Sequence, residues 1–159
     1  MPSQLHKNAQ RVQESLNQFG LSLSVVELPG STRTAQEAAL AIGCSVSQIA
    51  KSLVFWGKNS NQPLLIITSG TNRVNEKAVG SLVGEPLEKA DANKVQEYTG
   101  FPIGGVSPVG HKNPIRIFID EDLMTFDTIW AAAGTPHAVF ELTPQHLLTM
   151  TGGKVIPVK

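Results

Sequence analysis

Ile49-Ala50-Lys51-Ser52-Leu53-Val54-Phe55-Trp56, followed by Lys58-Asn59-Ser60-Asn61 and then Pro63-Leu64-Leu65-Ile66-Ile67-Thr68, is the stretch on which the fold of this chain turns. The first segment is rich in apolar and aromatic residues and is the strongest strand candidate in the sequence. The polar link that follows is of hairpin type, so the spacing predicts two strands paired antiparallel. Within the first strand Lys51 alternates onto the same face as Ile49, Leu53 and Phe55, where a charge is not ordinarily placed. Two readings follow. Lys51 is a partly desolvated ammonium at the wall of a site, donating to a phosphate, ribose or carbonyl oxygen; or it is an edge lysine whose stem covers apolar surface while its head reaches water.

Upstream of the hairpin, Leu5, Ala9, Val12, Leu16 and Phe19 recur at helical spacing, which predicts a helix over 2–19 stopped by Gly20. Leu21 to Leu28 reads as a strand running into Pro29-Gly30. Thr34 with Glu37 forms a capping box for a helix that Gly43 closes, and Ser45 with Gln48 repeats the pattern in a short helical turn. Downstream, helices are predicted near Asn75–Val83 and over Asp91–Thr99, the second with Asp91 as cap and Gly100 past its end. Strands are expected over Ile115–Asp120, Ile129–Ala133 and Ala138–Leu142. Thr143-Pro144 opens a last helix ended by Gly152-Gly153, and Val155–Val158 closes the chain as an edge strand. Helices and strands intermingle with hairpin-length links, which predicts a mixed, largely antiparallel α+β domain, one for the whole of residues 1–159.

The 159 residues are enough for one ordinary domain burying roughly 70% of the surface of its unfolded chain. Thirteen basic side chains balance thirteen acidic ones, so no global field draws a polyanion and any contact with nucleic acid must be local. The first residues lack the apolar core of a signal peptide and no apolar run approaches a membrane span, so a soluble cytoplasmic protein is expected. Cys44 is the single cysteine, which removes internal disulfides and cysteine metal clusters. His6, His111, His137 and His146 are scattered without ligand spacing, and neither a phosphate loop nor a dinucleotide motif occurs, so neither a metal nor a nucleotide cofactor is expected.

Phe101 to Asn113 has four Gly or Pro residues in its first eight and no periodicity, the mark of a long structured loop. Its run Gly104-Gly105-Val106-Ser107-Pro108-Val109-Gly110 offers backbone amides that can converge on an oxyanion, if Gly105 adopts φ > 0 or turns its Cα toward a substrate; otherwise it is a connection satisfying its own turns. Ser107 is a poor nucleophile candidate, because Gly105-Val106-Ser107-Pro108-Val109 lacks the last glycine of a nucleophile elbow and Pro108 has no N–H for an oxyanion hole.

Thr34-Ala35-Gln36-Glu37-Ala38-Ala39, Ile49 to Phe55, Gly104 to Gly110 and Ala133-Gly134-Thr135-Pro136, taken in this order, resemble the YbaK/prolyl-tRNA-synthetase-associated editing domains. The resemblance spans nearly the whole chain. It implies an α+β fold with a mixed, barrel-like sheet flanked by helices. It implies a trans-editing hydrolase that cleaves the ester between a wrong, small amino acid and the terminal ribose of tRNA, usually proline tRNA. The implied partners are the acceptor end of a mischarged tRNA and prolyl-tRNA synthetase, and no cofactor is implied. The family's essential lysine falls on Lys51. Its G-x-x-x-P loop, which holds the terminal nucleotide and aminoacyl group, falls on Gly104, Gly105, Val106, Ser107 and Pro108, with Gly134 at the pocket floor. No dedicated general base is implied, and cysteine, alanine, serine, threonine and small nonprotein amino acids all stay open as the group removed. A nonenzymatic tRNA-end or synthetase-binding module of the same fold is the alternative reading.

Overall fold

The computed structural model describes residues 5–159. Helix α1 (Lys7–Gln18) is followed by strand β1 (Val25–Glu27), helix α2 (Ala35–Ile42), strands β2 (Ile49–Gly57) and β3 (Gln62–Ser69), helix α3 (Glu76–Val83) and strand β4 (Leu87–Lys89). Then come helix α4 (Ala92–Thr99), strands β5 (Arg116–Asp120), β6 (Ile129–Ala132) and β7 (Ala138–Leu142), helix α5 (Pro144–Thr151) and strand β8 (Lys154–Ile156). Short 3-10 turns precede β2 at Val46–Gln48 and follow β5 at Glu121–Thr125.

Most helices start and stop where their caps place them. The side chain of Thr34 accepts the amide of Glu37 at 3.1 Å, that of Asp91 the amide of Lys94 at 2.8 Å, and that of Thr143 the amide of His146 at 3.1 Å. Helix α1 begins later than its apolar spacing suggests, and positions 2–4 of that expectation lie outside the described residues. Its cap is the ring of His6, whose Nδ1 accepts the amide of Asn8 at 3.1 Å.

The sheet order is β1-β7-β6-β2-β3-β5-β8, with β4 paired to β2 off this path. The central hairpin is antiparallel as expected, from Ala50 opposite Ser69 to Gly57 opposite Gln62. β1–β7, β2–β4 and β6–β7 are also antiparallel, whereas β2–β6, β3–β5 and β5–β8 are parallel, so the sheet is mixed. Its path runs from β1 to the edge strand β8 without closing on itself. β3 is buried on both faces: Leu65 and Ile67 join a core built with Val12 and Leu16 of α1 and Leu147 of α5, while Leu64 and Ile66 join one built with Val79 of α3.

β2 forks the sheet. β3 runs along one side of it; on the other side β6 pairs only with Ile49 and Ala50, and β4 only with Phe55, Trp56 and Gly57. Between them the carbonyl of Val54 accepts the amide of Ala90 at 3.2 Å, and no strand lies beside Lys51, Ser52 and Leu53. These three residues are half-buried, in a strand otherwise mostly buried. The sequence reading contains no β4, because Leu87-Glu88-Lys89 is too short and too charged to show alternation and is a strand only through its pairing with the end of β2.

Candidate functional site

The gap beside Lys51–Leu53 is flanked by two cavities that share Lys51, Ser52, Leu53, Ile103, Gly104 and Val106 as walls. The smaller, of ≈ 140 Å³, is closed by Thr32 to Ala35 and Ala38 at the start of α2 and by Trp130 to Ala132 of β6. The larger, of ≈ 390 Å³, is closed by Asn72 to Val74, Glu76, Lys89, Ala90 and Val95. Lys51 thus stands on the partition between two spaces.

Burial depresses the Lys51 ammonium pKa below its ordinary value, and the positive charges of Arg73 and Lys89 push it further the same way. Among the described residues none of Lys51, Arg73, Lys89 or Arg33 has an ion-pair partner; the two ion pairs are Arg116–Glu85 and Lys159–Asp122. A chain with no net charge therefore holds three unpaired cations around one cavity and Arg33 on the wall of its neighbour. Glu76 lines the same larger cavity, so three cations face one carboxylate there, and the excess of positive charge invites an anion. No group of three or more His, Cys, Asp or Glu side chains among the described residues could hold a metal ion.

The loop between α4 and β5 divides into two halves with different work. The amide of Gly105 donates to the carbonyl of Pro102 at 2.9 Å, closing a turn in which Gly104 holds φ +88°, the conformation a type II turn requires at its third residue. Gly105 itself has no positive φ; a Cβ there would lie 2.8 Å from the backbone carbon of Thr135, so its role is the close approach of two loops. This corrects the expectation that Gly105 takes φ > 0 or presents its Cα to a substrate. The amides of Gly104, Val106 and Ser107 find no acceptor among the described residues, and Gly104 and Val106 line both cavities.

In the second half the loop turns inward. The Ser107 hydroxyl is buried and accepts the amide of Val109 at 3.1 Å, and the Ser107 carbonyl lies 2.6 Å from Nε2 of His111. A carbonyl only accepts, so that nitrogen carries the proton. Burial pushes the His111 pKa down, opposed by this bond and aided by Arg11. Pro108 faces a groove on the far side, formed with Ser15, Phe19 and Met150. Gly134, at φ +90°, packs against the backbone of Asn8, whose side-chain amide donates to its carbonyl at 3.1 Å, and it walls neither cavity. Of the seven residues picked from the sequence, the structure brings Lys51, Gly104 and Val106 together around the gap; Gly105 and Gly134 hold the loops behind it, and Ser107 and Pro108 turn away.

Residues absent from the sequence reading complete the walls. Arg73 and Lys89 are single basic residues in turns or short strands, and only the pairing of β4 with β2 and the turn after β3 bring them to Lys51. Thr32 and Ser52 are more legible in hindsight, since one lies two residues before the Thr34 cap and the other next to Lys51. Their hydroxyls are buried in the small cavity's wall with no hydrogen-bond partner among the described residues.

A chain so built matches known proteins. Residues 30–150 match the model of the aminoacyl-tRNA editing domain. The solved structure of a candidate trans-editing enzyme for prolyl tRNA synthetase superposes with a TM-score of 0.92 at 49% identity, covering 98% of this chain and 99% of that one. The uncharacterized protein YwhH of Bacillus subtilis is 34% identical over 144 residues, 91% of either chain. The protein EbsC of Enterococcus faecalis, a candidate Cys-tRNA(Pro)/Cys-tRNA(Cys) deacylase, is 26% identical over 122 residues, 76% of this chain and 74% of that one. With the matched region reaching from the turn before α2 to the last helix, the chain belongs to the aminoacyl-tRNA editing domain family.

Proposed function

We propose that this chain is a trans-editing hydrolase that cleaves the ester joining a small wrong amino acid to the terminal ribose of tRNA, with proline tRNA as the first substrate to try. The observation that carries the reading is the fork at β2, which sets a half-buried, unpaired Lys51 between two cavities beside the unbonded amides of Gly104 and Val106. An aminoacyl ester is already activated, so its hydrolysis needs a positioned water and donors aimed at the developing oxyanion more than a strong nucleophile. Lys51 and the two amides supply such donors beside half-buried walls, where each is worth more than in bulk solvent.

The larger cavity, ringed by Lys51, Arg73 and Lys89, takes the terminal nucleotide and its phosphate. The smaller takes the amino-acid side chain. Gly105, Ser107, Pro108 and Gly134 act from behind, holding the Gly104–Val106 segment in shape. The relationship to a candidate trans-editing enzyme for prolyl tRNA synthetase and to a candidate deacylase supports this reading, with the synthetase as a second partner and the cytoplasm as the place of action. The structure adds that no helix among the described residues is long and apolar enough to cross a membrane.

The test is a deacylation panel of mischarged proline tRNAs with correctly charged prolyl-tRNA as control. Release of one or more wrong amino acids with the control left intact is the expected result. Tight binding of every tRNA with release from none would make the chain a tRNA-end binding module.

A further inference from the structure

Asn72 stands on the wall of the larger cavity, in the turn between β3 and α3, and its side-chain amide can lie only one way round. Its Nδ2 donates to Oδ2 of Asp120 at 2.8 Å and to Oδ2 of Asp122 at 2.7 Å, which uses both hydrogens. Carboxylates only accept, so the flipped amide would set oxygen against oxygen at both contacts. The two acceptors are themselves held: Asp120 is buried and takes the hydroxyl of Thr68 and the amide of Ser69, and Asp122 takes Nζ of Lys159 at 3.1 Å. The bonds from Asn72 and Lys159 keep the Asp122 carboxyl below its ordinary pKa, hence ionised at neutral pH. The remaining atom of the amide, Oδ1, is turned away from these carboxylates. It accepts from nothing among the described residues, and it is not one of the unpartnered side-chain atoms shut off from solvent, which are Thr32 Oγ1 and Ser52 Oγ. A half-buried amide locked through its nitrogen thus leaves one fixed, unsatisfied and accessible acceptor at the larger cavity.

Resting on the reading of this cavity as the seat of the terminal nucleotide, we infer that Oδ1 of Asn72 accepts from the exocyclic amino group of the base. It thereby selects an amino-bearing base, adenine at the end of a tRNA, against a keto base. A neutral donor suits this oxygen: an ammonium would lie among Lys51, Arg73 and Lys89, and the Glu76 carboxylate on the same cavity is its better partner. A ribose hydroxyl donates or accepts and would satisfy either orientation of an amide, so it gains nothing from a locked one. The amino group of adenine only donates, and the carbonyl of a keto base would meet Oδ1 lone pair to lone pair. Discrimination between the two requires an amide that cannot flip, because a free one would turn its nitrogen to the keto oxygen. Arg73, the next residue in the chain, is left for the phosphate.

The 5′-monophosphates of adenosine, purine riboside and inosine differ at the ring position in question, which carries an amino group, a hydrogen and a carbonyl respectively. Titrated into the whole protein and followed by NMR, the adenosine nucleotide should bind about 3- to 10-fold more tightly than the purine riboside one, and the inosine nucleotide no better than the latter. Asn72→Ala should bring the three together, whereas Arg73→Ala should weaken all three alike and keep their order. Equal binding of the three by the wild-type protein, binding of none, or an order that survives Asn72→Ala overturns the inference. The wild-type comparison decides even if Asn72→Ala fails to fold. Deacylation of one wrong amino acid from acceptor minihelices ending in adenosine or in purine riboside reads the hydrolase separately, and the adenosine ending should be favoured by a similar factor. Cleavage without any binding order leaves the hydrolase standing and overturns the role of Asn72; the binding order with no cleavage of either minihelix upholds Asn72 and overturns the hydrolase.

Discussion

Lys51 owes its position to strand alternation and its character to what the strand lacks beside it. A paired neighbour at Lys51–Leu53 would fill the space where the ammonium reaches two cavities. Lys51→Ala should lower deacylation by a factor on the order of 10 to 100, as for loss of one charge-stabilising donor, with the melting temperature nearly unchanged because the residue is only half-buried. Near wild-type turnover would remove it from the mechanism. At Gly105 the geometry ties rate to stability. Val106 to Val109 are buried, and a methyl on Gly105 would strike the Thr135 backbone, so Gly105→Ala should reduce both turnover and melting temperature. Ser107→Ala, which removes one buried hydroxyl bonded to Val109, should cost about 1 kcal/mol of stability and leave the rate within a few-fold. A collapse of rate in Ser107→Ala with a benign Gly105→Ala would restore the serine nucleophile.

The cavity walls depend on elements held by buried polar groups. Asp120 at the end of β5 is 1% exposed and accepts from Thr68 Oγ1 at 3.0 Å, the amide of Ser69 at 2.9 Å and Asn72 Nδ2 at 2.8 Å. Its other oxygen takes the amide of Asp122 at 2.9 Å. This one carboxylate ties β5 to the turn that carries Asn72 and Arg73 into the larger cavity. Asp120→Ala strands several donors and should destabilise the fold by roughly 2–4 kcal/mol in denaturant titration, with turnover falling in parallel. A loss below about 0.5 kcal/mol would mean water replaces the carboxylate. His111 does comparable work for the loop. Its pKa is lowered in the fold, so the unfolded chain binds its proton first; the stability from neutral His111 is complete above about pH 6.5 and falls as the pH drops toward its folded value. His111→Gln should therefore flatten the dependence of melting temperature on pH just below that point, and an unchanged slope would assign the dependence to other groups.

Helices were legible where their signals are local: Thr34, Asp91 and Thr143-Pro144 cap α2, α4 and α5, and the structure keeps each. The hairpin of β2 and β3 was legible for the same reason. β4 and the fork were not, because a three-residue strand carries no period and the missing neighbour of Lys51–Leu53 is a property of pairing between distant segments. Of the site, Lys51 showed itself by breaking an apolar face and Gly104 by the turn it permits. Arg73 and Lys89 could not, since nothing near them in sequence says that they meet.

Across the whole molecule, equal numbers of acidic and basic side chains remove long-range steering, and on the proposed reading the attraction for tRNA would come from the cations Lys51, Arg73 and Lys89 at one cavity. With Lys51 kept for the ester, phosphate contacts from Arg73 and Lys89 would give a shallow salt dependence: between about 50 and about 200 mM salt, binding of the acceptor end should weaken roughly 7- to 12-fold. A much steeper loss would show that a wide surface grips the tRNA, and none at all that the cations do not meet phosphate. The fork has a further consequence for descent. Because Lys51 to Leu53 separate the two cavities, the residues of α2 and β6 that shape the small one can vary without touching Arg73 or Lys89. Paralogues can therefore drift toward new cargo by mutation on one bank while the chemistry and the grip on the nucleotide are inherited unaltered from the other.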